Sequence, residues 1–343
     1  MNENQRKILF VVNPISGTQS KDAILGLLDD KLDKERYSSS VVYTERAGHA
    51  VEIAAKAAED GCDVVVAIGG DGTINEVARS LVHTHTALGI IPCGSGNGLA
   101  RHLHIPMDAK KALEILNDGY IETIDYGRIN GRDFFCTCGL GFDAFVSFKF
   151  AHAGKRGLLT YLETTLQEVL HYRPETYELQ TENGSLQYKA FLIACGNASQ
   201  YGNNAYITPH ATLTDGLMDV TILQPFTVLD VPSLAYQLFN KTIDQNSRIK
   251  TFRCQKLHIH REQPGVIHFD GDPVQTDADV DIELIGKGLR VVVPSPEREK
   301  ASTSMLQKAH VYVNDSFKEL HEAIMDNITD TNRKIMRKLT KKS

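Results

Sequence analysis

Along the first third of the chain, short apolar runs alternate with glycine-rich turns and stretches of helical period. Residues 64–68 form an unbroken apolar run, the pattern of a strand covered on both faces and so of a parallel sheet. The run leads into Gly69-Gly-Asp-Gly-Thr-Ile-Asn75. Thr73 and Glu76 have the spacing of a capping box, which predicts a helix beginning at Thr73. Residues 8–12 predict an earlier strand, followed by the turn Asn13-Pro-Ile-Ser-Gly17 and a helix over 20–32. Residues 41–44 predict another strand, and Ala50, Ile53, Ala54 and Ala57 fall at i, i+3, i+4, i+7 on the helix behind it. A fourth strand, 87–91, ends in Pro92-Cys-Gly-Ser-Gly-Asn-Gly98 before a helical segment over 99–103. This alternation predicts a Rossmann-like α/β domain.

From Tyr120 the period changes to that of strands. Residues 121–129 and 132–138 flank Asn130-Gly131, and residues 177–180 and 186–195 flank Asn183-Gly184, two hairpin signals of the same kind. Residues 257–260, 266–269, 280–285 and 289–293 predict further short strands, with helices only over 157–172 and 228–239. A β-sandwich domain after an α/β domain is the expected architecture, with a cleft between them. The boundaries read 1–127, 128–295 and a third segment, 296–343. In that segment Phe317, Leu320, Ile324 and Ile328 form a narrow apolar stripe, which predicts a helical extension.

Composition narrows the class. The 343 residues are 42% hydrophobic and 23% charged, as in ordinary globular proteins. A net charge of -6 argues against nucleic acid as a partner. The six cysteines are scattered without a CxxC pair, so buried free thiols are expected rather than disulfides or a zinc site. With no apolar signal core near the start and no run of membrane-spanning length, the expected location is cytoplasmic. The charge is uneven, however. Arg333, Lys334, Arg337, Lys338, Lys341 and Lys342 have no acidic neighbour, and together with Ile335, Met336 and Leu339 they could rest on an anionic membrane surface or simply be solvated.

Candidate chemistry concentrates in the turns. Gly69, Gly70 and Gly72 surround one carboxylate, Asp71, and let the backbone approach a phosphate at a helix N-terminus. The motif is neither a P-loop nor a GxGxxG fingerprint. Asn13, Ser16 and Gly17 lie where an earlier strand ends, the usual edge for ligands in open α/β sheets. His102 and His104 read as packed or surface residues. Two acidic turns follow, one with Asp215 and one reading His268-Phe-Asp-Gly-Asp-Pro273. Either could be hairpin chemistry alone. Either could also supply oxygen ligands to Mg²⁺ or a carboxylate that accepts a hydroxyl proton.

Taken in order and spacing, Asn13-Pro-Ile-Ser-Gly17, Gly69-Gly-Asp-Gly-Thr-Ile-Asn75, Pro92-Cys-Gly-Ser-Gly-Asn97, Thr214-Asp-Gly-Leu217 and Phe269-Asp-Gly-Asp-Pro273 resemble the diacylglycerol kinase catalytic-domain superfamily. That superfamily includes bacterial soluble lipid kinases, sphingosine kinases and eukaryotic diacylglycerol kinases. The resemblance implies an ATP- and Mg²⁺-dependent lipid kinase acting on the hydroxyl of a diacylglycerol or sphingoid base. It implies ATP contacts at Asn13, Pro14, Ser16, Gly17, Thr44, Gly69, Gly70, Asp71, Gly72, Thr73, Asn75 and Ser95, with Asp71 central to phosphate and metal. It places a structural Mg²⁺ at Asp215, completed by main-chain oxygens of Thr212 and Leu217. Asp272 stands where bacterial members carry the proton acceptor, often a glutamate; Asp270 and Asp71 are the alternatives, since sphingosine kinases use the aspartate of the GGDG turn. The Gly-Ser-Gly-Asn turn is closer to sphingosine kinases.

Rival readings are an NAD kinase-type phosphotransferase and a catalytically silent nucleotide- or lipid-binding module. The partners expected are a membrane lipid at the bilayer surface, peripheral contact through the basic tail on the inner membrane face, and a second copy in a homodimer. Removal of residues 304–343 is expected to weaken pelleting with liposomes while sparing activity on detergent-dispersed lipid. Equal pelleting of both forms would assign the tail to solvent.

Overall fold

The computed structural model describes residues 5–17, 21–152 and 172–298, and the compact unit they build ends at Pro294. Its first half holds four parallel strands, β1 (Arg6–Val12), β2 (Tyr37–Tyr43), β3 (Val64–Gly69) and β4 (Ala87–Pro92), in the order β2-β1-β3-β4. Five helices connect and cover them: α1 (Lys21–Lys31), α2 (His49–Glu59), α3 (Asp71–Leu81), α4 (Gly98–His102) and α5 (Ala109–Asp118). Every residue of β3 and β4 is buried, as unbroken apolar strands must be when both faces are covered.

The helix after β3 starts at Asp71, not at Thr73, and its N-cap is Gly70 without a side-chain cap. The capping box does not form because both of its groups have tertiary partners. Glu76 accepts the N–H groups of Gly48 (2.8 Å) and Ala50 (3.2 Å) at the start of α2. Thr73 Oγ1 accepts from Asn13 Nδ2 at 2.9 Å.

The second half is an antiparallel sandwich. It contains β5 (Tyr120–Ile129), β6 (Arg132–Phe134), β7 (Thr137–Gly141), α6 (Phe142–His152), β8 (Glu175–Thr181), β9 (Gly184–Ala190), β10 (Leu192–Gly196) and β11 (Met218–Leu223). After α7 (Val231–Phe239) come β12 (Ile249–Cys254), β13 (Lys256–Arg261), β14 (Gly265–Phe269), β15 (Asp272–Thr276) and β16 (Asp279–Val293). One sheet runs β12-β11-β10-β7-β14-β15; β16, β13, β8 and β9 continue the parallel sheet beyond β4. The two sheets enclose a core that includes Leu140, Tyr177, Ile193, Val220, Ile259 and Ile282.

Both Asn-Gly hairpins form: β5 pairs with β6, and β8 with β9. At the first, Asn130 and Gly131 have φ of 44° and 78°, as a tight primed turn requires. Two expected single strands are broken. The 132–138 run divides at Phe135 and Cys136, whose N–H groups bond to Asp270. The 186–195 run divides at Phe191, because β9 belongs to one sheet and β10 to the other. Helices α5 and α6 add to the helices expected from the pattern. The helix expected over 157–172 lies outside the described residues except for Tyr172, and the C-terminal extension lies outside them beyond residue 298.

The six cysteines are free thiols, with Cys138 and Cys195 opposite each other on β7 and β10. No helix among the described residues is long and apolar enough to cross a membrane.

One strand belongs to both halves. β16 has 15 residues; its first part pairs with β13, its last part meets β4 in parallel through Val291, and β5 runs antiparallel to it from Ile282 to Val293. A bulge between Ile285 and Leu289 adjusts the register. Leu289 is fully buried in the α/β core. Leu289→Ala is expected to cost about 2–5 kcal/mol, and urea unfolding should stay a single transition for both halves. Two separate transitions, only one of them shifted, would contradict the coupling through β16.

Candidate active site

Three turns converge at the C-terminal ends of β1, β3 and β4, the edge where open α/β sheets bind ligands. The first, Asn13 to Gly17, is locked to the second by the Asn13–Thr73 bond (2.9 Å). Gly17 has φ of +64°, and a Cβ there would overlap the carbonyl oxygen of Cys93 in the third turn. A Cβ on Gly94 would lie 2.7 Å from Gly70 Cα, so the second and third turns touch backbone to backbone. Asp71 closes the set: its carboxylate accepts the N–H groups of Asn97 and Gly98, each at 2.8 Å. Burial pushes the Asp71 carboxyl up from its ordinary value against the pull of these N–H groups and of Arg101.

Around this frame, Pro14, Gly17, Gly72 and Ser95 are exposed, and a Cβ on Gly72 would meet nothing within 4 Å. The N-terminus of α3 therefore opens where Gly69, Gly70 and Thr73 gather, a setting that suits a phosphate. Thr44 is buried beside the first turn, its N–H bonded to Val12 O at 2.9 Å. Asn75 is also buried, and its amide reaches away from the turns to Asp270 Oδ2 (2.8 Å) and the Asp133 carbonyl (3.3 Å).

The three carboxylates considered as proton acceptors have different settings. Asp270 and Gly271, with φ of 48° and 88°, form the two-residue turn between β14 and β15. The Asp270 side chain points inward and accepts from Asn75 and from the N–H groups of Phe135, Cys136 and Thr137 at 2.8–3.1 Å. Burial raises its pKa, and those four donors oppose the rise. Asp272 is the first residue of β15 and is exposed. The protein side of its carboxyl is crowded enough that desolvation nevertheless raises its pKa; Glu76 and Asp71 add to the rise, and Arg79 and His268 oppose it.

Asp215 lies apart from this group. Its Oδ1 accepts the Leu217 N–H at 3.1 Å, and Arg253 pairs with its Oδ2. Desolvation would raise its pKa, but hydrogen bonds from Thr212, Arg253 and Leu217 outweigh it and the net shift is downward. An ionised carboxylate is an oxygen ligand of the kind Mg²⁺ takes. Among the described residues no three His, Cys, Asp or Glu side chains cluster for a metal, so an ion there would depend on the main-chain oxygens of Thr212 and Leu217 and would share Asp215 with Arg253. The loop is held by Asp125, which accepts the N–H groups of Gly216 (2.8 Å) and Lys287 (2.7 Å).

Several buried polar residues at the junction carried no sequence signal beyond proximity to a motif. Asn197 donates to the carbonyls of Asp125 and Phe135, both at 2.9 Å. His102 is packed, as expected: Nδ1 accepts the Ser199 N–H at 3.0 Å, and burial, with His104 and Lys241, lowers its pKa to about 4. Asp143 Oδ2 is shared by His268 Nε2 (3.0 Å) and the Tyr201 hydroxyl (2.9 Å). A cavity of about 610 Å³ opens elsewhere, between Arg128, Gln180, His258 and Asp281, and contains none of the residues named above for the site.

Comparison with known proteins agrees with the motifs. The diacylglycerol kinase catalytic domain matches residues 7–129, and the YegS C-terminal NAD kinase beta sandwich-like domain matches residues 137–293. A diacylglycerol kinase of Mycobacterium tuberculosis is 31% identical over 280 residues, covering 78% of this chain and 88% of that protein. One from Bacillus subtilis is 26% identical over 272 residues, covering 78% and 90%. A crystal structure of a diacylglycerol kinase from Bacillus anthracis shares the fold, with a TM-score of 0.67, 18% identity, and coverage of 85% of this chain and 98% of that one.

Asp71→Asn replaces one acceptor by a donor facing an N–H group. It is expected to lower stability by about 1–3 kcal/mol in urea unfolding, the cost of a buried group left unpaired. Unchanged stability would mean that Asp71 does not hold the third turn.

Proposed function

This chain belongs to the diacylglycerol kinase family, and from that premise we propose that it transfers the γ-phosphoryl group of ATP to the hydroxyl of diacylglycerol, with Asp272 as proton acceptor. One observation carries the assignment of the base. Asp71 and Asp270 have their oxygens engaged by N–H groups, whereas Asp272 is exposed at the head of β15 with Asp71 and Arg79 near enough to act on its charge. Diacylglycerol is preferred to a sphingoid base because the relatives above are named for it.

In this reading the nucleotide phosphates lie against the open start of α3 and the turns at Asn13 to Gly17 and at Ser95, whose backbone N–H groups stabilise charge on the transferring group. The lipid hydroxyl gives its proton to Asp272 as the new O–P bond forms; the bond from the γ-phosphorus to the β,γ-bridging oxygen breaks, and ADP leaves. Asp71 keeps the second and third turns in register. Mg²⁺ accompanying the nucleotide would neutralise phosphate charge, and Asp215, Thr212 and Leu217 are the residues fitted to a structural ion.

The test is transfer of labelled γ-phosphate from ATP to mixed micelles of diacylglycerol or a sphingoid base and to soluble NAD. Asp272→Asn should reduce transfer to lipid by roughly 10²–10⁴; unchanged turnover would move the base elsewhere, and label in NAD alone would overturn the lipid reading. A general base must be ionised, and the pKa of Asp272 is raised. Activity should therefore fall on acidification at a pH above the ordinary aspartate range. Arg79→Gln removes a charge that holds this pKa down and should move the acid limb to still higher pH. An acid limb unmoved by Arg79→Gln would argue against Asp272.

A further inference from the structure

Among the described residues, Leu229 has the most exposed large apolar side chain, and it belongs to a feature that neither the core nor the site uses. Leu229, in the 3-10 turn Val228–Asp230 before α7, is 90% exposed, and Tyr236 and Phe239 on α7 are 51% and 42% exposed. Their spacing of i, i+7, i+10 puts all three on one side of a helix. The opposite side carries Leu234, which is buried, and Leu238, which is partly buried; both pack into the cluster over the six-stranded sheet. Tyr206 N–H bonds to the Leu238 carbonyl at 2.9 Å and fixes the helix from beneath. The helix is thus seated by its inner face while its outer face keeps large apolar side chains in water.

Charge at the two ends of α7 indicates what would cover that face. Lys241, just beyond the helix, is exposed; its Nζ lies 4.3 Å from the Tyr206 ring centroid, and no ion pair forms with it among the described residues. Arg248 reaches the other end, 4.0 Å from Asp230. Of the acidic groups nearby, Asp230 accepts from the N–H and hydroxyl of Thr227 and faces Arg248, and Asp244 Oδ2 meets His210 Nε2 at 3.2 Å while its buried Oδ1 has no partner among the described residues. An apolar stripe with an aromatic belt and cations at its ends matches an anionic bilayer, where the apolar groups enter the headgroup boundary and the cations meet lipid phosphates.

We infer that the outer face of α7, led by Leu229, docks on an anionic membrane surface and presents the lobe that carries Asp272 to lipid. The inference rests on the lipid-kinase reading for its purpose but not for its detection. The sequence has no tryptophan, so Leu229→Trp in the full chain supplies a single reporter. With vesicles of phosphatidylcholine and phosphatidylglycerol its emission should shift to the blue and be quenched by brominated lipid. In co-sedimentation the Leu229→Ser/Tyr236→Ser/Phe239→Ser variant should bind these vesicles about tenfold or more weakly. Lys241→Gln should weaken binding by about fivefold, the worth of one cation at an anionic surface. All variants should keep the thermal melting point and the phosphorylation of detergent-dispersed diacylglycerol.

Emission at position 229 that does not move while the protein co-sediments would overturn the inference. Emission already blue without vesicles would also overturn it: dependence on protein concentration would identify a second copy of the chain as the occupant, and independence a segment of the same chain. If no lipid is phosphorylated in any arm but the tryptophan still inserts, the kinase reading fails and the docking surface stands.

Discussion

A buried carboxylate with four hydrogen-bond donors organises the junction between the two halves of the molecule. Asp270 sits in the turn between β14 and β15 and collects Asn75 from α3 together with the N–H groups of Phe135, Cys136 and Thr137. A charge taken out of water is tolerated only when fully hydrogen-bonded, so these partners cannot be dropped one at a time without leaving others unpaired. Asp272 follows two residues later, and its place relative to α3 and the glycine turns is fixed by that anchor. Asp71 does for the nucleotide-side turns what Asp270 does for the junction. In both cases a carboxylate within a glycine-rich turn gives the turn its shape.

The shared strand adds a second constraint. Because β16 pairs with β13 and β5 along one part and meets β4 along another, the end of the sandwich half is built into the sheet of the α/β half. Asp125, on β5, accepts an N–H from the bulge of β16 and another from the loop that carries Asp215. The position of that loop therefore follows the register of β16. The loop at Asp215 and the head of β15 at Asp272 can then keep fixed positions without contact between them.

Much of this was legible from local pattern. The unbroken run at 64–68 meant a strand covered on both faces, and β3 is buried throughout. Both Asn-Gly pairs form hairpins, and the positive φ at Asn130 and Gly131 is the property that makes the pair recognisable. The five motifs led to the family. Other features depended on partners far away in the chain. Thr73 and Glu76 had the spacing to cap their own helix but face Asn13 and the start of α2, at no cost to either, because their hydrogen bonds are made elsewhere. The sequence favoured Asp272 over Asp270 and Asp71 only through the family resemblance; by composition and spacing all three are acids beside glycine.

By itself, then, the sequence determined the alternation of elements, the turns that close them and the chemical inventory of the glycine-rich and acidic turns. These follow from side-chain period and from which residues tolerate a given φ, both local properties. Only the tertiary structure decided that β16 joins two sheets, that Asn75 faces Asp270, and which carboxylate remains open. Burial and hydrogen-bond satisfaction are properties of neighbours brought together from distant positions, and Asp270 meets Asn75 across 195 residues. Two acids separated by one glycine thus end in different settings, Asp270 sealed by N–H groups and Asp272 exposed at the head of β15.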